Sequence, residues 1–263
     1  MKFCRFQHSG KTGYGLIEEV AGTPTVTRIL QGPPASLADF ESGHATNLAL
    51  DAIRLLSPTV PSKIVCVGRN YREHARELNH EIPSSPLIFL KPPSAVIGPG
   101  DEIRRPHVLS QRVDYEGELA VVVGRRCHGL REDEDVRSCI LGYTCVNDVT
   151  ARDLQNLDGQ WTRAKGFDTF CPLGPVIADG LDPWHGVRVE TRLNGETRQN
   201  GTTADFIFPL DVILRYITSV MTLEPGDVIA TGTPAGVGPM QPGDAVEVRV
   251  EGVGSLSNTV VNA

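Results

Sequence analysis

The chain has 263 residues, 40% of them hydrophobic and 22% charged, and its 25 basic and 32 acidic side chains give a net charge of −7. This composition is typical of a globular protein that buries a substantial core, and the acidic balance disfavours nucleic acid or an anionic membrane as a partner. No apolar run approaches the roughly 18 residues that span a membrane, and the chain opens without an apolar signal core, so we expect a cytoplasmic protein.

Residues 1–60 predict a small N-terminal module that packs on the main body. Strand-like segments at 14–17 and 25–30 precede a helical pattern at 46–56, and Pro58 and Pro61 mark the exit. The module contains no catalytic pattern. Its Gly-Lys-Thr at 10–12 lacks the upstream glycine and the preceding strand of a phosphate-binding loop.

A strand at 63–68 is followed by a predicted helix at 69–78, with Asn70 as a plausible N-cap. His74 and Glu77 are three residues apart on this helix and therefore share one face. A carboxylate beside an imidazole orients the ring and raises its basicity, as a base that activates water requires. The alternative is a solvent-exposed helix with interleaved charges. We expect the helix and the polar loop at 79–86 to order over a bound ligand.

Two glutamates stand at the start of the apolar run at 119–123. Glu116 and Glu118 are two residues apart, so on a strand their carboxylates point to the same face. Asp148 ends a second strand-like run at 141–146 and offers a third carboxylate. Three carboxylates without cysteine or histidine suit a hard divalent ion, Mg²⁺ or Mn²⁺ ahead of Zn²⁺.

Helices are predicted at 131–139 and 150–157, and the second of these carries two polar residues of interest. Arg152 and Gln155 are three residues apart and can both point back towards the metal. Lys165 lies among small and aromatic residues, so it is a candidate for a partly desolvated ammonium that pairs with a carboxylate or an enolate of the substrate. An isolated lysine is more often a surface residue.

The last third predicts strands at 173–178, 187–193, 245–250 and 259–261, turns at Asn194-Gly195 and Asn200-Gly201, and an amphipathic helix at 210–221. A glycine-rich loop at 226–239 follows a strand. Its prolines forbid the helix that a dinucleotide-binding turn requires. The loop fits better as a set of threonine hydroxyls and backbone N–H groups offered to a carboxylate, with a tight structural turn as the alternative.

Several other chemistries lack support in the sequence. No G-x-S-x-G or H-E-x-x-H pattern is present, which argues against serine-hydrolase and zinc-peptidase chemistry. The six cysteines contain no C-x-x-C pair and several lie in apolar runs, so we expect reduced thiols in the core.

Taken in order, the motifs of the chain resemble those of the fumarylacetoacetate hydrolase family. The resemblance covers about residues 63–261, and it is specific because the blocks occur together at plausible separations. The blocks are Gly68-Arg69-Asn70-Tyr71 with His74 and Glu77, Leu90-Lys91-Pro92, the acidic block 114–120, the block 142–153, Lys165-Gly166-Phe167-Asp168, and Thr231-Gly232-Thr233-Pro234.

The resemblance implies an α+β fold that is mainly β. Residues 61–263 would form a mixed β-sandwich roll, and residues 1–60 a small N-terminal α/β module. It also implies a homodimer and a Mg²⁺ or Mn²⁺ cofactor. The implied metal ligands are Glu116, Glu118 and Asp148; the implied catalytic residues are His74, Glu77 and Lys165; the implied substrate contacts are Arg69, Arg152, Gln155 and Thr233.

The leading functional hypothesis is a metal-dependent hydrolase that cleaves a C–C bond in acylpyruvate or fumarylpyruvate-like diketo acids, with water activated by the His74–Glu77 dyad. Within the family the alternative is an oxaloacetate-type decarboxylase or a 2-hydroxydienoate isomerase of aromatic catabolism. A different class is a non-catalytic protein that binds a metal and a 2-oxo acid. Turnover of a substrate panel distinguishes all three.

Overall fold

The computed structural model describes residues 1–77 and 81–263. In this part of the chain the α-helices are short: α1 (Arg72–Glu77), α2 (Arg152–Asp158), α3 (Thr162–Lys165) and α4 (Leu210–Val220). No described helix has the length and apolar character needed to cross a membrane.

Strands make up most of the regular structure, which confirms the expected mainly β class. In chain order they are β1 (Lys2–His8), β2 (Lys11–Val20), β3 (Thr23–Leu30), β4 (His44–Ala49), β5 (Arg54–Leu56), β6 (Ile64–Gly68), β7 (Leu87–Lys91), β8 (Val96–Ile97), β9 (Glu102–Arg105), β10 (Val113–Tyr115), β11 (Gly117–Val123), β12 (Ile140–Asn147), β13 (Thr150–Ala151), β14 (Cys171–Ala178), β15 (Arg188–Leu193), β16 (Glu196–Thr202), β17 (Val228–Ala230), β18 (Gly238–Pro239), β19 (Ala245–Val250) and β20 (Gly254–Asn262).

The strands form three sheets. The largest has twelve strands in the order β4-β3-β2-β1-β14-β12-β11-β17-β6-β7, with β5 and β8 paired to β1 and β14. A second sheet has the order β16-β15-β19-β20-β9, and a third has the order β13-β10-β18. Parallel pairs such as β17–β6 and β20–β9 occur among antiparallel ones, so the sheets are mixed.

The five-stranded sheet packs on the centre of the large sheet. Leu119 and Val121 of β11 share an apolar cluster with Val189 of β15 and Val248 of β19. The other face of β11 is also covered, since Ala120 lies in a separate buried cluster. A strand buried on both faces is apolar throughout, which explains the continuous apolar run in its sequence.

The N-terminal residues extend the large sheet. β1 pairs with β14 through Phe3 and Ile177. Phe3 also shares a buried cluster with Tyr14, Phe40 and Val122. The N-terminal strands are therefore attached to the rest of the chain by backbone hydrogen bonds and by an apolar contact. The domain boundary at residue 60 stays a prediction.

Four strand ends meet at one edge of the large sheet. β6 and β17 are parallel, so their carboxyl ends, Gly68 and Ala230, lie at the same edge. β11 runs antiparallel to both β17 and β12, so the start of β11 and the end of β12 reach that edge as well. Polar residues from four parts of the chain are brought together there.

The prediction of a helix at 46–56 is wrong. The segment forms part of β4, a 3-10 turn at Leu50–Ala52, and β5. β4 pairs with β3 and β5 pairs with β1. Hydrogen bonding between these strands overrides the local helical preference, as tertiary context commonly does.

Other helices are shorter than predicted. Of the segment 131–139, only Val136–Cys139 forms a 3-10 turn. Helix α2 begins later than predicted because Thr150–Ala151 pairs with β10. Helix α1 begins at Arg72 instead of residue 69. The last residue of the predicted helix, 78, and the first two of the predicted loop, 79 and 80, lie outside the described residues. The predicted amphipathic helix at 210–221 is confirmed as α4.

Asn70 and Asn200 have roles other than those predicted. The Asn70 amide donates to the carbonyls of Phe208 (3.2 Å) and Thr231 (2.8 Å) instead of capping α1. Asn200 lies in β16 opposite Glu190, so the predicted turn is absent from this position. The turn at Asn194-Gly195 is present, and both of its residues have positive φ.

Candidate active site

Three carboxylates meet at the edge described above. Glu116 links β10 to β11, Glu118 is the second residue of β11, and Asp148 follows β12. One carboxylate oxygen from each lies within 4.8 Å of the others, and all three residues are buried. Pairing of Gly117 with Asn147 sets this register, and the Asp148 N–H donates to the Glu116 carbonyl at 2.8 Å. The structure thus brings together the three carboxylates that the sequence predicted as ligands.

Buried cations contact two of the carboxylates. Lys165 Nζ donates to Glu116 Oε2 at 2.8 Å and to Asp148 Oδ2 at 2.5 Å. Lys91 Nζ donates to Asp148 Oδ1 at 2.6 Å, and Arg152 Nη2 donates to Glu116 Oε1. Lys165 is only 2% exposed, which agrees with the predicted desolvated ammonium. Its partners in this structure are carboxylates of the protein.

Arg152 is held on three sides. Besides Glu116, it donates from Nε to Asp114 at 2.9 Å and from Nη1 to the Gln155 side-chain oxygen at 2.6 Å. Arg152 therefore fixes the position of Glu116. The substrate contacts predicted for Arg152 and Gln155 stay predictions.

The cations control the ionisation of Glu116. Burial alone would raise the pKa of this carboxyl, but the charges of Lys165 and Arg152 outweigh burial and hold the pKa well below its usual range. Burial would likewise lower the pKa of Lys165, yet Asp148 and Glu116 raise it. Both groups of the Lys165–Glu116 pair are therefore charged.

Glu118 differs from the other two carboxylates. It accepts a hydrogen bond from the Gly232 N–H at 2.7 Å, and it forms no ion pair with the residues that the structure describes. Burial and the repulsion of Asp148 and Glu116 raise the pKa of Glu118 well above its usual value. A further positive charge next to the Glu118 carboxyl group would therefore be favourable.

The donor set fits a hard divalent cation. Four buried carboxylates (Asp114, Glu116, Glu118, Asp148) lie close to three buried cations (Lys91, Arg152, Lys165) and to Arg112, which pairs with Asp114. Among the described residues, every one of these carboxylates except Glu118 has a cationic partner. Three of the carboxylates can offer an oxygen to one point. An all-oxygen set of this kind suits Mg²⁺ or Mn²⁺.

A cavity of about 260 Å³ opens above the carboxylates. Nine of the ten predicted site residues line it: Arg69, His74, Glu116, Glu118, Asp148, Arg152, Gln155, Lys165 and Thr233. Glu77 does not line it. The sequence assigned no role to Phe89, Asn156 and Trp161, which also line the cavity.

His74 forms part of the cavity wall, with Glu77 behind it. His74 Nδ1 lies 3.4 Å from Glu77 Oε2, and both Glu77 oxygens accept from the Gly236 N–H at 3.1 Å. Burial lowers the pKa of His74 below 6.5, and the carboxylates of Glu116 and Glu77 offset this only in part. The imidazole is therefore neutral near pH 7 and can accept a proton.

Arg69 provides a cation at the cavity wall. Its φ of +58° places it in the left-handed region, which is uncommon for a residue with a side chain. Its guanidinium carbon lies 6.0 Å from the centre of the Trp161 ring. Within residues 1–77 and 81–263 it forms no ion pair, in contrast to Arg152 and Lys165.

The glycine-rich loop donates to carboxylates, as predicted, but these belong to the protein. Gly232 N–H binds Glu118 and Gly236 N–H binds Glu77. The Thr233 hydroxyl donates to the Gly117 carbonyl at 2.9 Å. Because its only proton is donated there, the Thr233 hydroxyl can accept a hydrogen bond from a ligand but cannot donate one.

The sequence analysis assigned no role to two residues that contact the carboxylate cluster. Lys91, at the end of the apolar strand β7, was quoted only as part of a motif, although a lysine that ends an apolar strand is a signal of a buried charge. The other is Asn147, whose side-chain oxygen accepts from the Glu116 N–H at 2.9 Å. Nothing in the local sequence distinguishes this asparagine.

Family profiles match nearly the whole chain. The profile described as fumarylacetoacetate (FAA) hydrolase, C-terminal, matches residues 63–261. A second profile, described as Rv2993c-like, N-terminal, matches residues 1–58.

Named relatives match at the level of sequence and structure. Oxaloacetate tautomerase YisK of Bacillus subtilis is 42% identical over 226 residues, which cover 81% of this chain and 74% of the relative. A crystal structure of 2-hydroxyhepta-2,4-diene-1,7-dioate isomerase from Mycobacterium marinum is 42% identical, with a TM-score of 0.88 and coverage of 100% and 98%. Fumarylacetoacetate hydrolase from Exiguobacterium antarcticum is 39% identical, with a TM-score of 0.82 and full coverage of both chains.

Proposed function

The chain belongs to the fumarylacetoacetate hydrolase family, and we propose that it is a Mg²⁺- or Mn²⁺-dependent isomerase that interconverts keto and enol forms of a 2-oxo dicarboxylate. The observation that carries this proposal is a buried imidazole, His74, in the wall of the same cavity as three clustered carboxylates. The names of the tautomerase and isomerase relatives support it.

Glu116, Glu118 and Asp148 would hold the divalent ion. When bound, the ion supplies Lewis-acid stabilisation of the negative charge that develops on the 2-oxo group of a substrate. Lys91, Arg152 and Lys165 keep Glu116 and Asp148 in position through the contacts described above. They also offset the negative charge that would otherwise repel a dianionic substrate.

His74 would move the proton. The neutral ring accepts a proton from the carbon next to the 2-oxo group and returns it to carbon or to oxygen, so that no atom is lost or gained. Glu77 orients the ring through Nδ1. Arg69, as a cation without an ion-pair partner in the described residues, would bind the distal carboxylate.

Hydrolysis of an acylpyruvate remains the second candidate. The His74–Glu77 contact favours it, because a carboxylate behind an imidazole raises the basicity needed to deprotonate water. The structural similarity to a protein named fumarylacetoacetate hydrolase is compatible with it. In this reaction His74 would take a proton from water while the water oxygen adds to the distal carbonyl. The C–C bond then breaks to give a carboxylic acid and the enolate of pyruvate, which takes up the proton.

The test is a substrate panel with Mn²⁺ or Mg²⁺. We expect ketonisation of enol-oxaloacetate to be accelerated by the wild-type protein and abolished in Glu118→Gln. Cleavage of acetylpyruvate or fumarylpyruvate without any ketonisation would overturn the isomerase in favour of the hydrolase. Loss of CO₂ from oxaloacetate would point to a decarboxylase. Oxalate binding without turnover of any substrate would support the non-catalytic alternative.

A further inference from the structure

Gln199 is a completely buried amide that joins the two packed sheets. It lies in β16 of the five-stranded sheet and has an exposed fraction of 0%. Its side-chain oxygen accepts from the Gly117 N–H at 3.0 Å. Its side-chain nitrogen donates to the Thr233 hydroxyl and to the Pro234 carbonyl, both at 2.7 Å. Both ends of the amide are therefore in use.

These hydrogen bonds close a ring around Gly117. The Gly117 N–H donates to Gln199, Gln199 donates to the Thr233 hydroxyl, and that hydroxyl donates to the Gly117 carbonyl at 2.9 Å. The peptide groups on both sides of Gly117 are thereby held. The amide meets both needs of the ring, because it carries an acceptor and a donor on one side chain.

Gly117 is also confined by packing. A Cβ at this position would lie 2.0 Å from the Thr191 hydroxyl and 3.1 Å from a methyl group of Val248. The backbone between Glu116 and Glu118 is therefore held both by close contact with Thr191 and Val248 and by the hydrogen bonds of the Gln199 ring. Its conformation determines how far apart the two carboxylates lie.

We propose that Gln199 is a positioning residue that sets the separation of the Glu116 and Glu118 carboxylates and so controls metal affinity. The inference rests on the proposed metal centre. Residues that orient metal ligands typically change metal affinity by about 10- to 100-fold when they are replaced. Gln199 acts through Gly117 and touches neither carboxylate in the hydrogen bonds of the described residues.

The test compares Mn²⁺ affinity with stability. In Gln199→Leu, we expect the Mn²⁺ dissociation constant, measured by electron paramagnetic resonance of free Mn²⁺, to rise by about 10- to 100-fold. Asn258→Leu is the matched control. Asn258 is also buried, and its amide donates to the carbonyls of Gly98 at 2.9 Å and Asp101 at 2.8 Å, outside the cavity. The Asn258→Leu protein should have a lower Tm but wild-type Mn²⁺ affinity.

Thr233→Val provides a second variant, since it breaks the same ring with little change in volume. Thr233→Val should also raise the Mn²⁺ dissociation constant. If Gln199→Leu does not fold, the affinity of Thr233→Val tests the positioning role instead. Wild-type affinity in the folded ring variants, or an equal loss of affinity in Asn258→Leu, would overturn the positioning role. Absence of Mn²⁺ binding in the wild-type chain would overturn the metal centre, and the role of Gln199 with it.

Discussion

In both proposed reactions, proton transfer would depend on His74. We expect His74→Ala to reduce kcat by about 10²-fold or more, the usual contribution of a general base, while Mn²⁺ affinity is unchanged. Steady-state kinetics on the best substrate of the panel measures the effect. His185→Ala is the control, because His185 is exposed and far from the carboxylates in sequence. Unchanged kcat in His74→Ala would exclude this histidine as the base.

The pH dependence of the rate follows from the lowered pKa of His74. The base must be unprotonated, so kcat/KM should be constant near neutral pH and should fall only when the pH drops through a value below 6.5. Glu77 raises the pKa of His74. Removal of its charge in Glu77→Gln should therefore shift the acidic fall of kcat/KM to still lower pH. A pH–rate profile of both proteins measures the shift. A limb that moves to higher pH in the variant would contradict the assignment.

At the scale of elements, the described part of helix α1 contacts the glycine-rich loop through the main-chain N–H of Gly236. The Gly236 N–H donates to both oxygens of Glu77, and the Tyr115 hydroxyl donates to the Gly236 carbonyl at 3.0 Å. Gly236 has φ of +102°, and a Cβ there would lie 2.1 Å from the Arg198 carbonyl oxygen. The loop can approach β16 this closely only with glycine at this position.

Gly236→Ala should therefore disturb both stability and the His74–Glu77 pair. A left-handed residue with a side chain costs about 1–2 kcal/mol, and the overlap with Arg198 adds to this cost. We expect a lower Tm and a lower kcat. Gly10→Ala is the control, since Gly10 also has positive φ but no atom lies within 4 Å of the place that its Cβ would occupy. Equal destabilisation of the two variants with full activity would argue against the contact with Glu77.

For the whole molecule, the N-terminal strands should be required for stability. Deletion of residues 1–60 would leave β14 without β1 and would expose Val122 and Ile177, which now pack on Phe3 and Phe40. An unpaired strand edge and an exposed apolar surface favour aggregation. We expect a lower Tm and larger particles in size-exclusion chromatography. In the intact chain Phe3→Ala should cost about 3–5 kcal/mol through the apolar contact alone. A truncated chain with the original Tm would show that the main body folds independently.

The sequence by itself determined the elements whose signals are local. The apolar run of β11 and the two-residue spacing of Glu116 and Glu118 predicted a strand with paired carboxylates, and the motif order predicted the family. The strand and the family were confirmed, because strand periodicity and short motifs depend on neighbouring residues. Glu116, however, lies between β10 and β11 and not on the strand itself. The prediction of a helix at 46–56 was wrong because hydrogen bonds to other strands decide the structure of this segment. The local sequence pattern contains no information on those hydrogen bonds.

Only the tertiary structure decided which charges pair and which backbone groups fix the site. It joined Lys91 to Asp148, Glu77 to Gly236, and Gln199 to Gly117, each across tens of residues of chain. Such contacts form when segments far apart in sequence are packed against one another by the fold. A buried lysine or amide will take any partner that the fold brings within hydrogen-bond distance, so its type alone cannot identify that partner.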